Sequence, residues 1–250
     1  MSNSALIQKL EELSMNALPA LQTLMYDGWI LRFSEGYTKR ANSINPIYSS
    51  NEDMKRKIEN NEKMYRENNL RVVYKMTPLV GGLSNLDSVL EKNEYTLEGE
   101  TSVQLLPIFE IDKTAATNVV IYYNLHENWF HNFCILNNIS EKHQLTLKKM
   151  LENIVSASCF ILLIDYDSVV ACGLGVLEDE YIGLFDIVSH EKYRNQGYGA
   201  EVIRHLIHWG KENGAKNAYL QVELNNIPAL NLYSKLGFKE QYRYWYRIKE

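Results

Sequence analysis

Apolar residues at Leu6, Ile7, Leu10 and Leu13 keep helical spacing between Ser4, a capping residue, and Pro19, and predict a helix over about 4–16. From residue 26 the period changes to two. Trp29, Leu31 and Phe33 alternate with Ile30, Arg32 and Ser34, and Glu35-Gly36 marks a turn into a second extended run at 37–44, so a β-hairpin is expected. Residues 51–68 are charged and Asn-rich, yet Met54, Ile58, Met64 and Tyr65 form a helical stripe. A short strand at 72–76 ends before Pro78, a short helix is read at 83–93, and a strand at about 95–106.

The polar, small residues 110–118 have no strong period and make the best boundary, dividing the chain into domains at 1–115 and 116–250. Beyond them the pattern predicts a strand at 119–123, helices at 127–134 and 141–156, and strands at about 159–165, 168–177 and 181–188. A helix at 197–213, a strand at 218–223, a helix at 227–236 and an aromatic strand or hairpin at 238–249 complete an α+β layout.

Composition narrows the function classes. The chain has 250 residues, 46% hydrophobic and 23% charged, close to globular averages, which excludes disordered and fibrous classes. With 26 Lys and Arg against 31 Asp and Glu, the net charge is −5 and neither half is basic, so neither nucleic acid nor an anionic membrane is an expected partner. Cys134, Cys159 and Cys172 are odd in number and lie in or beside apolar segments, as reduced core thiols do. No basic region precedes an apolar stretch at the start, and no apolar run approaches the roughly 20 residues of a membrane span. A soluble, cytoplasmic protein is expected.

The segment Arg194-Asn195-Gln196-Gly197-Tyr198-Gly199-Ala200 lies between the strand ending at Val188 and a helix with Val202, Ile203, Leu206 and Ile207 on its apolar face. First-turn amides of a helix have no intrahelical partner, and with the helix dipole they favour a phosphate; glycines let such a group approach the main chain. Further on, beyond one more strand, comes the segment Asn226-Ile227-Pro228-Ala229-Leu230-Asn231-Leu232-Tyr233-Ser234-Lys235-Leu236-Gly237-Phe238.

Over about 119–250 this order of strand, Arg-x-x-Gly-x-Gly, helix, strand, Asn-x-x-Ala, Tyr and Gly-Phe resembles the GNAT superfamily of acetyl-CoA-dependent N-acetyltransferases. The resemblance implies the GNAT fold, a mixed, mostly antiparallel sheet with flanking helices. It also implies acetyl-CoA as co-substrate, no metal, and an amine acceptor on a small molecule or a peptide; a homodimer stays open. Residues 194–199 would then hold the coenzyme pyrophosphate, chiefly through the amides of Gln196, Gly197, Tyr198 and Gly199, with Ala200 beside them. Ile187 and Val188 would pair with the pantetheine arm where their strand splays from the next. Asn226 would contact the pantetheine or order the cleft, and Tyr233 would stand near the sulfur. Ser189-His190-Glu191 departs from the family's short Pro-containing loop.

Direct transfer would need a neutral amine, and a lysine-like amine has a pKa near about 10.4, so a base or a water chain must take a proton. Asp186 and Glu223 are the candidates for the base, the Val188 amide for oxyanion donor, and Tyr233 for the acid at the departing thiolate. No Lys or Arg occurs at 151–191, whereas Glu152, Asp165, Asp167, Glu178, Asp179, Glu180, Asp186 and Glu191 do, which suits either a cationic acceptor or ordinary solvated turns. The alternative function is a non-catalytic acyl-CoA-binding regulator.

The first half reads as a degenerate copy. Setting Tyr95 on Phe238 places Leu86 on Ala229, Val89 on Leu232, Lys92 on Lys235 and Leu90 on Tyr233, and no Arg-x-x-Gly-x-Gly precedes residue 118. Trp29–Arg32 followed by Gly36–Ser43 resembles the first domain of two-domain GNAT proteins, with Arg40, Asn42 and Ser43 either acceptor contacts or structural residues. His205 and His208, at i and i+3, lack a third ligand nearby and read as ordinary surface or half-buried histidines. Cys172 reads as a core thiol, and Tyr242–Arg247 as a strand with one packed face.

Overall fold

The computed structural model describes residues 2–78, 85–109 and 118–250. Two compact units emerge: one runs to Val103 and takes in Glu223–Asn225 and Gln241–Glu250, and the other comprises Gln104–Val222 and Asn226–Glu240. The chain therefore changes unit inside a strand, at 103/104, and its last ten residues return to the first unit. Most of the polar segment 110–118 lies outside the described residues.

The first unit holds α1 (Asn3–Ala17), β1 (Gln22–Tyr26), β2 (Trp29–Phe33), β3 (Ile44–Pro46), α2 (Met54–Glu67), β4 (Val72–Met76), α3 (Leu86–Lys92) and most of β5 (Thr96–Pro107). Ser2, not Ser4, caps α1, its hydroxyl accepting from the Ala5 amide at 3.3 Å. The hairpin also differs from expectation. It is β1 with β2, closed at Asp27-Gly28, where both residues have positive φ as a two-residue hairpin turn demands. Residues 37–43 form no strand; Lys39–Ala41 is a 3-10 turn, clamped by Asn42, whose Oδ1 accepts from the amides of Ser34 and Gly36 at 2.7 and 3.0 Å. Asn42 and Ser43 are buried in these internal bonds, which makes them structural residues.

The C-terminal half of β11 (Lys239–Lys249) completes this unit, pairing antiparallel with β4 from Trp245↔Met76 to Lys249↔Val72. Its alternation buries Tyr242, Tyr244, Tyr246 and Ile248, so these rings are core. Beneath them Lys75 donates to Glu11 at 2.5 Å and sits 4.0 Å from the Tyr244 ring centre, while Tyr242 donates to Glu11 at 2.6 Å. A buried charge pair is tolerated only when so fully satisfied.

The second unit holds β6 (Val119–Tyr122), α4 (Glu127–Leu136), α5 (Glu141–Glu152), β7 (Ala157–Asp165), β8 (Ser168–Glu178), β9 (Tyr181–Ser189), α6 (Tyr198–Glu212), β10 (Asn217–Glu223, its last residue counted with the first unit) and α7 (Ile227–Lys235). Its strand order is β10-β9-β8-β7-β6, antiparallel except where β9 meets β10. One core sits between the sheet and the apolar face of α6, where Val202, Ile203 and Leu206 are fully buried against Ile161, Val170 and Leu220. Gly173 permits that approach, since a Cβ there would lie 2.5 Å from Val202 and 2.7 Å from Ile187.

Each unit contains one parallel crossover, β3–α2–β4 and β9–α6–β10, as a parallel pair requires. The helix that ends each repeat closes in the same way. Phe238 N–H donates to the Tyr233 carbonyl at 3.0 Å with Gly237 at φ 91°, and Tyr95 N–H donates to the Leu90 carbonyl at 3.1 Å with Glu94 at φ 67°. The same closure ends α2, α4 and α6, at Leu70, Ile139 and Ala215, so it is a general helix stop in this chain.

The crossovers differ at the helix N-terminus. Asp53 caps α2 through the Arg56 amide, and Asp27 fills the turn ahead of it, accepting from the amides of Asn51 and Glu52 at 3.1 and 3.0 Å, from Ser50 at 2.7 Å and from Lys57 at 2.9 Å. The Glu52 amide first, then Ser50, Lys57 and Asn51, hold the Asp27 carboxyl well below the usual carboxylate range. Unfolded, Asp27 titrates near about pH 4, so the unfolded state binds more protons below that pH and the stabilisation, complete above it, is lost on acidification. Asp27→Asn preserves a residue that tolerates the left-handed turn. Its urea midpoint is expected to fall less than that of the wild type between about pH 6 and pH 3; an equal fall would remove Asp27 from the acid response.

Candidate functional site

The site lies where β9 and β10 part. Their in-register pairing covers only Asn217↔Tyr181, Ala218↔Ile182 and Tyr219↔Gly183, while β9 continues to Ser189 with β8 alone beside it. Phe185 and Tyr219 wedge the fork, their ring centres 5.9 Å apart at 82°, in the space that glycine at 183 leaves open. Three residues of pairing followed by divergence form a backbone-lined cleft at the carboxyl ends of parallel strands, where open sheets of this type take ligands.

A bulge sets the register of that edge. Leu174 pairs with Phe185 and Cys172 with Val188, so Asp186 and Ile187 together oppose Gly173, and Asp186 adopts φ 52°. Past the bulge the His190 amide donates to the Val170 carbonyl at 2.8 Å, directed at β8. Successive amides of a strand face opposite edges, so the Val188 amide also faces β8, and those of Ile187 and Ser189 face the edge that β10 has left. The expected oxyanion donor, the Val188 amide, therefore points the wrong way.

From Ser189 the chain makes a 3-10 turn at Glu191–Tyr193, capped by His190, whose Nδ1 accepts from the Lys192 amide at 3.2 Å. Arg194, Asn195, Gln196 and Gly197 are exposed, with Asn195 and Gly197 left-handed at φ 63° and 91°. Gly197 is the N-cap of α6 and supplies no side chain to its amides, in contrast to the carboxylate-filled turn before α2. A Cβ on Gly199 would lie 3.3 Å from Leu232 and 3.6 Å from Ser189, so the loop rests on α7 and on the end of β9. Half-buried Tyr198, Gly199 and Ala200 begin the helix. The residues present suit an anion, with main-chain donors, a dipole and Arg194 gathered at one exposed turn.

Asn226 caps α7, its Oδ1 accepting from the Ala229 amide at 3.2 Å, with Pro228 in the first turn. Tyr233 is 9% exposed and packs edge-on against Phe238 at 6.0 Å. Burial pushes its phenol up to about 12. Asp186 is half-buried in the bulge and, after burial itself, contributes to raising the Cys172 thiol, so Cys172 is an inert core group. Glu223 is exposed at the end of β10 and is counted with the first unit.

The acids of 151–191 do not form one field. Glu178, Asp179 and Glu180 occupy the β8–β9 turn, and Asp165 and Asp167 the β7–β8 turn, opposite ends of strands about 30 Å long. His205 and His208 each face a glutamate, Glu201 at 3.4 Å and Glu212 at 3.3 Å, rather than each other.

A sequence profile described as the acetyltransferase (GNAT) family matches residues 122–238, and one described as the C-terminal part of the probable histone acetyltransferase Rv0428c matches 4–104. The "Uncharacterized N-acetyltransferase YobR" of Bacillus subtilis (strain 168) is 30% identical over 248 residues, 97% of this chain and 98% of that one. The chain belongs to the GNAT acetyltransferase family. Over 57 residues, 23% of this chain and 38% of the relative, it is 37% identical to the "[Ribosomal protein bS18]-alanine N-acetyltransferase" of Escherichia coli (strain K12). Among solved structures, a GCN5-related N-acetyltransferase from Kribbella flavida superposes with a TM-score of 0.72 at 10% identity, covering 97% of this chain and 95% of that one. The α+β GNAT fold and an acetyltransferase enzyme follow, and the family uses acetyl-CoA. Among the described residues no helix is long and apolar enough to cross a membrane.

In this GNAT chain the Asn226 side-chain oxygen caps its helix. Asn226→Ala is expected to lower unfolding free energy by about 1 kcal/mol in urea denaturation, the usual effect of losing an N-cap. No change would mean that the cap is redundant with Pro228.

Proposed function

We propose that the chain transfers the acetyl group of acetyl-CoA directly to a primary amine at a single coenzyme site in the second unit. The observation that carries this reading is the continuity of the β9 edge with the α6 N-terminus: main-chain donors run from Ile187 and Ser189 into Gln196, Gly197, Tyr198 and Gly199. Ile187 and Ser189 would hold the pantetheine and the carbonyl oxygen, and Arg194 with the loop amides the diphosphate. Val188 would support the strand. The coenzyme supplies an activated thioester; the chain's residues orient it and carry the charges that develop.

In the reaction the amine nitrogen bonds to the acetyl carbon, the C–S bond breaks, and a proton passes from nitrogen to a base while the thiolate takes one up. Oxyanion stabilisation falls to the Ile187 amide by the register of the bulge. Tyr233, with a phenol near 12, keeps its proton throughout the physiological range and acts as a hydrogen-bond donor to the departing sulfur. Asp186, in the bulge itself, is the first candidate for the base through a water, and exposed Glu223 the second. The acceptor class, a small molecule or a protein or peptide amine, is left broad because the similarity to the ribosomal-protein alanine acetyltransferase spans only 57 residues. Carboxylate occupation of the turn before α2, by Asp27, supports one coenzyme site rather than two.

Calorimetric titration with acetyl-CoA, repeated on Gly197→Trp/Gly199→Trp, tests the site: binding by the wild type that the variant loses is expected. No binding to either chain would overturn the reading. Tyr233→Phe is expected to lower kcat on the order of 10²-fold with unchanged coenzyme affinity. Because the folded phenol titrates near 12, any alkaline limb of the rate below about pH 10 is expected in both enzymes; a limb lost in the Phe variant would make Tyr233 the titrating group.

A further inference from the structure

We propose that Asp165, outside the motif, is a positioning residue that holds the phosphate loop in its binding shape through the side chain of Tyr198. This deepens the reading above and rests on residues 194–199 holding the coenzyme diphosphate. Asp165 ends β7, and its Oδ2 accepts from the Tyr198 hydroxyl at 2.7 Å. Tyr198 is the first residue of α6, so the side chain that reaches Asp165 hangs from a backbone unit whose amide faces the anion position.

Asp165 stands on a stiff support. Asp165 pairs with Ser168 across a two-residue turn in which Tyr166 and Asp167 have φ 43° and 65°, the left-handed pair of a tight hairpin. The loop it anchors also rests on Leu232 and Ser189 at Gly199, but the hydrogen bond to Asp165 is the one that reaches it from β7. Residues 194–197 are exposed, and the rings that flank them form a line from His190 to Tyr193 at 5.4 Å and from Tyr193 to Tyr198 at 6.4 Å. The hydroxyl of Tyr198 is the end of that line, and Asp165 is where it is fastened. Hydrogen bonding to Asp165 first, then burial, raises the Tyr198 phenol, so the contact is a phenol donating to a carboxylate across the neutral range.

A carboxylate beside a diphosphate site is unfavourable by charge alone. Its retention makes sense if the hydrogen bond outweighs the repulsion, and the two effects separate experimentally. Asp165→Asn keeps an acceptor for Tyr198 and removes the charge; Asp165→Ala removes both; Tyr198→Phe keeps the ring and its packing while removing the donor.

The experiment is calorimetric titration of each full-length variant with CoA, together with ligand-observed NMR titration with S-acetylpantetheine, which lacks the diphosphate. Asp165→Ala and Tyr198→Phe are each expected to raise the Kd for CoA about five- to tenfold, the net worth of one ordinary hydrogen bond. The double variant is expected to be no worse than either single one, Asp165→Asn to match or exceed wild-type affinity, and S-acetylpantetheine affinity to stay the same throughout. Equal CoA affinity in all variants, or a parallel loss for both ligands, would overturn the role of Asp165. Failure of the wild type itself to bind CoA would overturn instead the assignment of the loop, and the proposal with it.

Discussion

A parallel strand pair cannot be closed by a tight turn, and from this constraint most of the second unit follows. The chain must leave β9, cross the sheet as α6 and return as β10, so the helix starts at the carboxyl end of β9. Because pairing stops at Gly183↔Tyr219, that same end of β9 has a backbone edge that β10 does not use. Two kinds of main-chain donor, one from a strand edge and one from a helix terminus, are thus placed in succession by connectivity alone. Side chains then refine the arrangement: Phe185 and Tyr219 hold the fork, Gly173 lets α6 settle on the sheet, and the Asp186–Ile187 bulge fixes which amides turn outward.

The first unit meets the same constraint with a different outcome. Its crossover also begins a helix after a strand that pairs parallel with the next, at Ile44↔Tyr74. There Asp53 accepts from the first-turn amide of Arg56, Asp27 on the preceding hairpin turn accepts from the Asn51 and Glu52 amides just ahead of the helix, and the ammonium of Lys57 lies against the Asp27 carboxylate and the Trp29 ring. A negative group supplied by the fold satisfies the donors that an anionic ligand would otherwise seek. The related helix closures at Leu90 and Tyr233 separate in the same way: identical backbone bonds, but an aliphatic residue in one repeat and a phenol in the other.

Much of this was legible in the residues, and where it was not, the reason is physical. Long amphipathic helices and apolar strands announce themselves by period: the strand 72–76 is as expected, and the helix expected over 141–156 starts at Glu141 and ends at Glu152. The Asp27-Gly28 turn was the strongest short-range hairpin signal in its region, yet the exposed strand Gln22–Tyr26 before it has no buried face to produce alternation. Residues 37–43 follow a turn signal and were read as an extended run, but Asn42 bonds the backbone on both sides and holds a turn instead. The segment 194–200 was legible because its glycines stand out, and at Gly197 the left-handed backbone favours glycine. The outward amides were not, because a single extra residue opposite Gly173 reverses the facing of every amide after it, and no side-chain pattern records that.

That last point bears on how such sites are compared. A motif fixes residue types at fixed spacing, whereas which strand amides face outward depends on register upstream. In this chain the register is set by Asp186 at φ 52°, while the motif begins eight residues later at Arg194. Transferring roles by counting back from the glycines selects Val188; following the hydrogen bond from His190 to Val170 selects Ile187 and Ser189. Asp186 then has two consequences that a single substitution would mix, since changing it removes a carboxylate and also disturbs the backbone that aims the Ile187 amide. Asparagine is the replacement that best keeps the left-handed conformation, so a loss of rate in Asp186→Asn reports on the carboxylate, and a further loss in Asp186→Ala reports on the bulge. A rate equal to wild type in the Asn variant would leave Glu223 or solvent as the proton acceptor.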